Sequence, residues 1–329
     1  MAMSIQDIRH RLEYARLMDA LVGLVDGVRA RGAFLLRLSL DPPWAMRIQD
    51  DALTLICQTL GSAVITTAAG ESFRLAPGDV ALARGTEHYV YSDDRGSTPQ
   101  VVVHPGQRCT GSDGRDLRFE MAVGVRTWGN SATGADRAVI GAYEGNSEVG
   151  SRLLDALPPV LLLRADELDT PLVALLSDET ARDSAGQVAY LDRLLDLLLI
   201  DVLRTWFGRG GAAPTWWYAE SDDLVGTALR LIYNNPAHPW TVADLAAAVG
   251  SSRAVFARRF TRLVGEPPIT FLTGWRLALA ADLLRAGEHT LASVARQVGY
   301  ATPFAFSSAF KRARGVSPAH YRQAVRAAS

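Results

Sequence analysis

Hydrophobic positions along the chain follow two different periods, and the change between them divides it. From Ala33 to about Gly145 apolar residues alternate or come in short runs between turn residues. Phe34, Leu36, Leu38 and Leu40 form one alternating set, Phe73 and Leu75 another, and Leu53 to Ile65 is a longer apolar pair of runs split by Gly61. Alternation puts successive side chains on opposite faces of a strand, and turn signals every 8 to 12 residues or so predict an all-β sandwich or barrel. Pro77-Gly78-Asp79 marks one such turn, because proline fixes φ at the first corner and glycine accepts a positive φ at the next.

Beyond the strands the period lengthens to that of a helix. Gly150 to Leu157 reads as a short helix stopped at Pro158-Pro159, followed by Val160-Leu161-Leu162-Leu163 as a buried strand or turn. From about Gln187 to Phe207, the residues Leu191, Leu194, Leu195, Leu198, Val202 and Trp206 recur at spacings of three and four, which is one helix face. Leu199 and Ile200 widen the stripe beyond what packing on a barrel requires. Leu191, Leu195, Leu198 and Val202 are therefore expected to pair with the same helix of a second copy, making a homodimer; a core helix is the other reading.

The C-terminal third carries one pattern twice. Thr241-Val242-Ala243-Asp244-Leu245-Ala246-Ala247-Ala248-Val249-Gly250 opens on a threonine N-cap and closes on a glycine stop, and Ser251-Ser252 open a second helix from Arg253 to Val264. Two short helices around a glycine-containing turn form a helix-turn-helix, whose second helix enters a DNA major groove. The pattern returns 49 residues later as Thr290 to Gly299, with Thr302 capping a helix that starts at Pro303. Spacing assigns Val255, Phe256, Phe260 and Leu263 to the buried side of the first recognition helix, and Phe306 and Phe310 to that of the second. Between the units, Ile269 to Ala286 is amphipathic; about 18 residues make roughly 27 Å of helix, enough to set two recognition helices about one DNA turn apart.

Charge supports the division. The net charge is -1, which by itself argues against a nucleic-acid partner, but it is unevenly spread: up to residue 220 there are 21 basic against 29 acidic residues, and after it 13 against 6. A basic C-terminal part is carried by an acidic N-terminal one. Gly208 to Pro214 is a helix-breaking stretch between them. The expected organisation is a sensor and dimerisation domain at 1–207, a linker at 208–221 and a DNA-binding domain at 222–329. No apolar run reaches the ~18 residues of a membrane span, and Met1 to Arg16 alternates charges where a signal peptide is apolar. The expectation is a soluble, cytoplasmic protein, and Cys57 and Cys109 are too few for a disulfide framework.

Two resemblances sharpen this reading. The tail of the second unit, Gly299-Tyr300, Phe306, Phe310-Lys311-Arg312, Gly315, Ser317-Pro318 and Tyr321-Arg322, resembles the signature of the AraC/XylS transcription regulators over roughly residues 222 to 326. The Pro77-Gly78-Asp79 turn with His88 ten residues after Gly78, together with Trp44 and the Leu157-Pro158-Pro159 helix end, resembles the cupin-type sensor domain of one AraC subfamily. The fold class expected is α+β: a cupin-like β-barrel with a helix pair, then an all-α domain with two helix-turn-helix units.

The resemblance implies a bacterial, sequence-specific transcription regulator, an activator by family habit, with promoter DNA, RNA polymerase and an unknown effector as partners. It places base contacts on the outward positions Ala254, Ala257 and Arg258 of the first unit and Pro303, Phe304, Ser307 and Ser308 of the second. Only Arg258 among them can grip guanine with two hydrogen bonds; Ala254, Ala257 and Phe304 can touch thymine methyls. Arg253, Arg259, Arg262, Lys311, Arg312 and Arg314 read as phosphate contacts.

The trigger has two readings. In one, a small molecule occupies the barrel between Phe34, Trp44, Met46, His88 and Tyr89. In the other, an oxidant acts on Cys109, whose cationic neighbour Arg108 and loop setting would lower its pKa, whereas Cys57 in its apolar run is inert. Cupins often hold a metal with two histidines one residue apart, a glutamate and a later histidine. Glu87-His88-Tyr89-Val90-Tyr91 has one imidazole in that stretch, so even with His104 no metal or other cofactor is expected and the chain reads as no enzyme. A cupin metalloenzyme fused to a DNA-binding module is the alternative.

Overall fold

The structure is a computed structural model that describes residues 34–143, 157–209, 218–219 and 222–328. These fall into two compact units, 34–143 with 157–209, and 218–219 with 222–328.

The first unit is built on two sheets. One has seven strands in the order β10 (Ala122–Gly124), β11 (Thr127–Trp128), β1 (Phe34–Leu40), β12 (Asp136–Tyr143), β3 (Leu53–Leu60), β6 (Val80–Arg84) and β13 (Val160–Leu163). The other has six: β5 (Ser72–Leu75), β4 (Ala63–Thr67), β7 (Tyr89–Ser92), β2 (Ala45–Ile48), β8 (Val101–His104) and β9 (Arg108–Gly111). Leu38, Leu40, Ile56 and Ala138 of the first sheet meet Met46, Ile65, Leu75, Tyr91 and Val101 of the second in one core. The β-rich expectation is thus met by two sheets packed face to face.

Local chemistry explains the details. In β4 buried and half-buried residues alternate, as a strand with one face on the core must. In β3 the first six residues are all buried, because its sheet is covered on both sides. Thr54 and Ile56 face the core, while helix α2 (Gln187–Gly208), preceded by α1 (Leu172–Thr180), covers the outside. The Tyr143 hydroxyl donates to the Leu195 carbonyl at 2.7 Å. Gly141 permits that approach, since a Cβ there would stand 2.5 Å from Leu195 Cδ2. The Pro77-Gly78-Asp79 turn forms as expected, with Gly78 at φ 91°, and the Asp79 carboxylate accepts from the Ala76 and Ala165 amides and from Arg164.

Covering that sheet is also what corrects the dimer expectation. Leu191, Leu195, Leu198 and Val202 are at most 2% exposed inside their own unit, so the wide stripe of α2 serves the sheet beneath it. Tyr190 and Leu197, seven residues apart on the opposite face, are exposed, as is Val188 in the first turn. Helix α1 escaped the sequence reading. Residues 150–156 of the expected first helix, Met1 to Arg16, and most of the expected linker lie outside the described residues.

The second unit is helical: α3 (Asp223–Asn234), α4 (Val242–Ala248), α5 (Arg253–Val264), α6 (Pro268–Ala286), α7 (Leu291–Gln297), α8 (Pro303–Arg314) and α9 (Pro318–Ala328). The N-terminal half of α6 brings Phe271 and Trp275 against Phe260 of α5 and Tyr233 of α3. Its C-terminal half brings Leu277, Ala280, Ala281 and Leu284 into a core with Val294, Ala295, Phe306 and Phe310. One 19-residue helix therefore belongs to both helix-turn-helix cores.

Candidate nucleic-acid interface and ligand cavity

The recognition helices α5 and α8 are set by matching local devices. Thr241 and Asp244 form a reciprocal capping box at the start of α4, and Thr290 accepts from the Ser293 amide at the start of α7. Ser252 and Thr302 cap α5 and α8 in the same way, and Gly265 and Gly315 end them at φ 91° and 75°. Phe256 and Phe260, and likewise Phe306 and Phe310, anchor each helix by an i, i+4 pair of fully buried rings.

The opposite faces are open. Arg253, Ala254, Arg258 and Arg262 are exposed on α5, with Ala257 half-buried; Pro303, Phe304, Ser308, Lys311 and Arg312 are exposed on α8, with Ser307 half-buried. Phe304 is 81% exposed. Beside Arg258, a shallow recess of about 640 Å³ is lined by Val242, Ala257, Thr261, Arg262 and the α6 start Pro267-Pro268-Ile269.

Two sequence assignments change. Val255 is exposed rather than inward, since the buried stripe of α5 is narrow and residue 255 lies about 100° around the helix from Phe256. Arg259 does not face outward as a free cation: its Nε and Nη2 both donate to Asp222 Oδ2, at 2.9 and 2.5 Å. Arg314, like Ala257 and Ser307, is half-buried. Other cations of this unit are also used internally. Arg276 donates to the Pro236 and His238 carbonyls, Arg285 to Asp282 and the Tyr321 hydroxyl, and Arg322 to the His289 carbonyl. Tyr321 and Arg322 of the family-like tail are thus structural ties. What remains for a polyanion is concentrated on α5 and α8.

In the first unit, a cavity of about 430 Å³ opens between the two sheets. Leu36, Leu38 and Ile56 of one sheet and Met46, Ile48 and Val103 of the other make it largely apolar, with Trp128 and Ile140. Its polar residues are Asp50, Thr54, Tyr89, Tyr91, Gln107, Cys109 and Arg118. Met46 and Tyr89 lie where the sequence put them. Trp44 does not line this cavity: its Nε1 donates to Asp136 at 2.8 Å, its ring packs on Tyr91, and it borders a separate cavity of about 270 Å³. His88 is exposed, in the turn before β7. Of Phe34 only the backbone, at the head of β1, is described. The missed lining residues were legible in principle, since Leu36 and Leu38 share one face of β1, and Met46 and Ile48 one face of β2.

Cys57 is the buried, inert thiol expected of its apolar run, whereas Cys109 departs from its expectation. Cys109 sits on β9 facing the cavity, and burial, followed by the Asp116 charge, pushes its pKa up to about 11 despite Arg118. A lowered pKa is therefore overturned. Cys57 is fully buried, and burial alone raises its pKa steeply. Nor are the histidines and Glu87 brought together: Glu87 pairs with Arg84, and His104 Nε2 lies 2.8 Å from Thr110 Oγ1. Among the described residues no group of three or more His, Cys, Asp or Glu side chains converges on a metal position.

Comparison with known proteins assigns both units. Residues 19–208 match a cupin family and residues 245–324 a helix-turn-helix domain family. An AraC-like transcription regulator of Streptomyces antibioticus is 33% identical over 260 residues, which are 77% of this chain and 80% of that one. The chain belongs to the AraC family of transcription regulators. Another AraC-like regulator, from Streptomyces lividans, is 39% identical over 56% of this chain and 62% of its own length. The regulator AlkR of Acinetobacter baylyi is 29% identical over 93% and 99%. The DNA-binding domain of AdpA, solved with a target DNA, is 34% identical over 32% of this chain and 95% of that domain, with a TM-score of 0.31. As an AraC-type regulator the chain is a DNA-binding protein with a cupin domain, and none of its described helices is long and apolar enough to cross a membrane.

Proposed function

We propose that this AraC-type regulator is a ligand-controlled transcription factor, in which a small molecule bound between the sheets of the cupin unit sets the DNA affinity of the two recognition helices. The observation that carries it is the cavity of about 430 Å³, inside the 300 to 1,000 Å³ or so typical of small-molecule sites. It lies in a chain whose other unit presents Arg258, Arg262, Lys311 and Arg312 on open helix faces. A ligand that favours one DNA-binding state shifts promoter affinity by the free energy that DNA returns to the ligand. The oxidant reading loses ground because a thiol near 11 is protonated at neutral pH.

In this proposal α5 reads bases mainly through Arg258, and α8 contributes apolar contact through Phe304. Arg253, Arg262, Lys311 and Arg312 hold phosphates. The domain limits are 1–207, 208–221 and 222–329, the working form is a cytoplasmic homodimer, and its outward face on α2 centres on Tyr190 and Leu197. RNA polymerase is the partner at the promoter. The test begins with selection of bound duplexes from a random pool, and a reporter built on the selected site. Filling the cavity by Ile140→Trp should freeze the reporter at one level across growth conditions while the purified variant still binds the duplex. A variant that keeps the wild-type range of response would refute the cavity as the effector site.

A further inference from the structure

The cavity has a charge preference written into its polar residues. Asp50 lies between β2 and β3 and is only 7% exposed. Its carboxylate accepts from the Gln107 side-chain amide and from the backbone amides of Asp51, Ala52 and Gly106. Its position is tightly held: a Cβ on Gly85 would come within 1.9 Å of the Asp50 carbonyl oxygen. Every one of these partners is a neutral dipole, and no ion pair joins Asp50 to a cation among the described residues. A buried carboxylate with only neutral partners gains most from a positive charge brought next to it.

Its neighbours register the same field. Burial, and then the Asp50 charge against a hydrogen bond from Thr54, pushes the Tyr89 phenol up to about 12. Asp50 and Asp116 both add to the burial that raises Cys109. Asp50 and Arg118 are the charged side chains of the cavity wall, and of the two Asp50 is buried while Arg118 is exposed to solvent. Apart from Thr54, Tyr89, Tyr91, Gln107 and Cys109, the rest of the wall is mostly hydrocarbon and indole.

Resting on the reading of this cavity as the effector site, we infer that its ligand is an apolar organic amine, whose ammonium donates to the Asp50 carboxylate while its hydrocarbon body lies between Met46, Ile56, Trp128 and Ile140. The Gln107 amide, the one side chain donor on Asp50 and carried by a loop residue at φ 61°, is the group an ammonium displaces. An acid-bearing ligand of the same shape would set a second carboxylate beside Asp50 and is disfavoured.

Calorimetric titration of the full-length protein with 4-butylbenzylamine, 4-butylbenzyl alcohol and 4-butylbenzoate tests this with three bodies of one shape. The amine should bind about tenfold more tightly than the alcohol, the difference between a charge-assisted and a neutral hydrogen bond, and the benzoate weakest. Asp50→Asn should lower amine affinity to that of the alcohol and leave the alcohol unchanged. If that variant fails to fold, the wild-type series decides alone. Equal binding of amine and alcohol would overturn the amine inference and leave the effector cavity standing. Tightest binding of the benzoate would overturn it in favour of Arg118. If none of the three binds, the amine inference falls, and the cavity reading is decided by the Ile140→Trp reporter.

Discussion

Two adjacent arginines on one helix should behave in opposite ways. Arg258 is exposed at the open side of α5, whereas Arg259 is held by Asp222. Arg258→Ala removes a side chain that touches nothing the fold needs, so the melting temperature should stay put. Binding to a selected duplex should weaken by about 1 to 3 kcal/mol, with relaxed preference at one base position. Arg259→Ala removes an ion pair whose arginine side chain is 45% exposed and whose aspartate side chain is 12% exposed. Both hydrogen bonds go to one oxygen, Oδ2, which lacks the two-oxygen fork of a strong arginine–carboxylate pair. Solvent screening keeps such a pair to about 0.2 to 1 kcal/mol.

The same aspartate allows an internal calibration. Asp222 Oδ1 accepts from the Leu224 and Val225 amides and so caps α3, which is worth about 1 kcal/mol. Asp222→Ala should therefore cost more than Arg259→Ala, by about that cap. Thermal melts and filter-binding isotherms over a range of salt check both. Removing one cation that holds a phosphate flattens the salt slope by about one unit, so Lys311→Ala should flatten it and Arg259→Ala should not. If Arg259→Ala flattens the slope as Lys311→Ala does and leaves the melt unchanged, Arg259 grips phosphate and the Asp222 pairing is refuted.

Leu198→Ala should destabilise the cupin unit by about 2 to 5 kcal/mol in urea titrations, because Leu198 is fully buried. Leu197→Glu, on the opposite face, should leave the urea midpoint alone and shift sedimentation toward monomer; the reverse pattern would restore the sequence-derived interface. Iodoacetamide should label Cys109 slowly at pH 7 and faster as pH climbs toward its pKa of about 11, with Cys57 unlabelled until the unit unfolds, as peptide mass mapping will report. Asp222 titrates below the ordinary carboxylate range, since the donors Arg259, Val225 and Leu224 together outweigh the opposing burial. Its contribution is complete above about pH 4 and is lost as pH falls through its depressed folded value, so the stability gap between wild type and Asp222→Ala should close on acidification.

How much of this was legible follows from how local each determinant is. Caps, stops and the i, i+4 ring pairs are decisions made within a few residues, and the Thr241, Thr290, Ser252 and Thr302 caps all stand where the sequence placed them. The repeat then transfers the assignment from one unit to the other. The cavity depended on which strands become neighbours. Leu36 and Ile140 meet because β1 pairs with β12, and no spacing rule predicts that pairing, so the sequence named Met46 and Tyr89 but missed Asp50 and Gln107.

The errors over α2 and over the cations share one physical origin. Periodicity reports that a face is apolar, or that a cation sits on a helix, without reporting what covers the one or holds the other. The stripe of α2 was real, but its partner is the outer face of the sheet, which Gly141 keeps flat enough to receive Leu195. The basic excess after residue 220 was real, but Arg259, Arg276, Arg285 and Arg322 are bound to Asp222, Asp282, the Tyr321 hydroxyl and backbone carbonyls. Those ties give the net charge its meaning: the cations engaged inside the fold join α5 to α3, α6 to α9 and to the segment after α3, and α9 to the segment before α7, and in the proposed function the exposed ones on α5 and α8 meet phosphate and base edges. The arginines that build the reader are therefore separable, by melt and by salt slope, from the arginines that read.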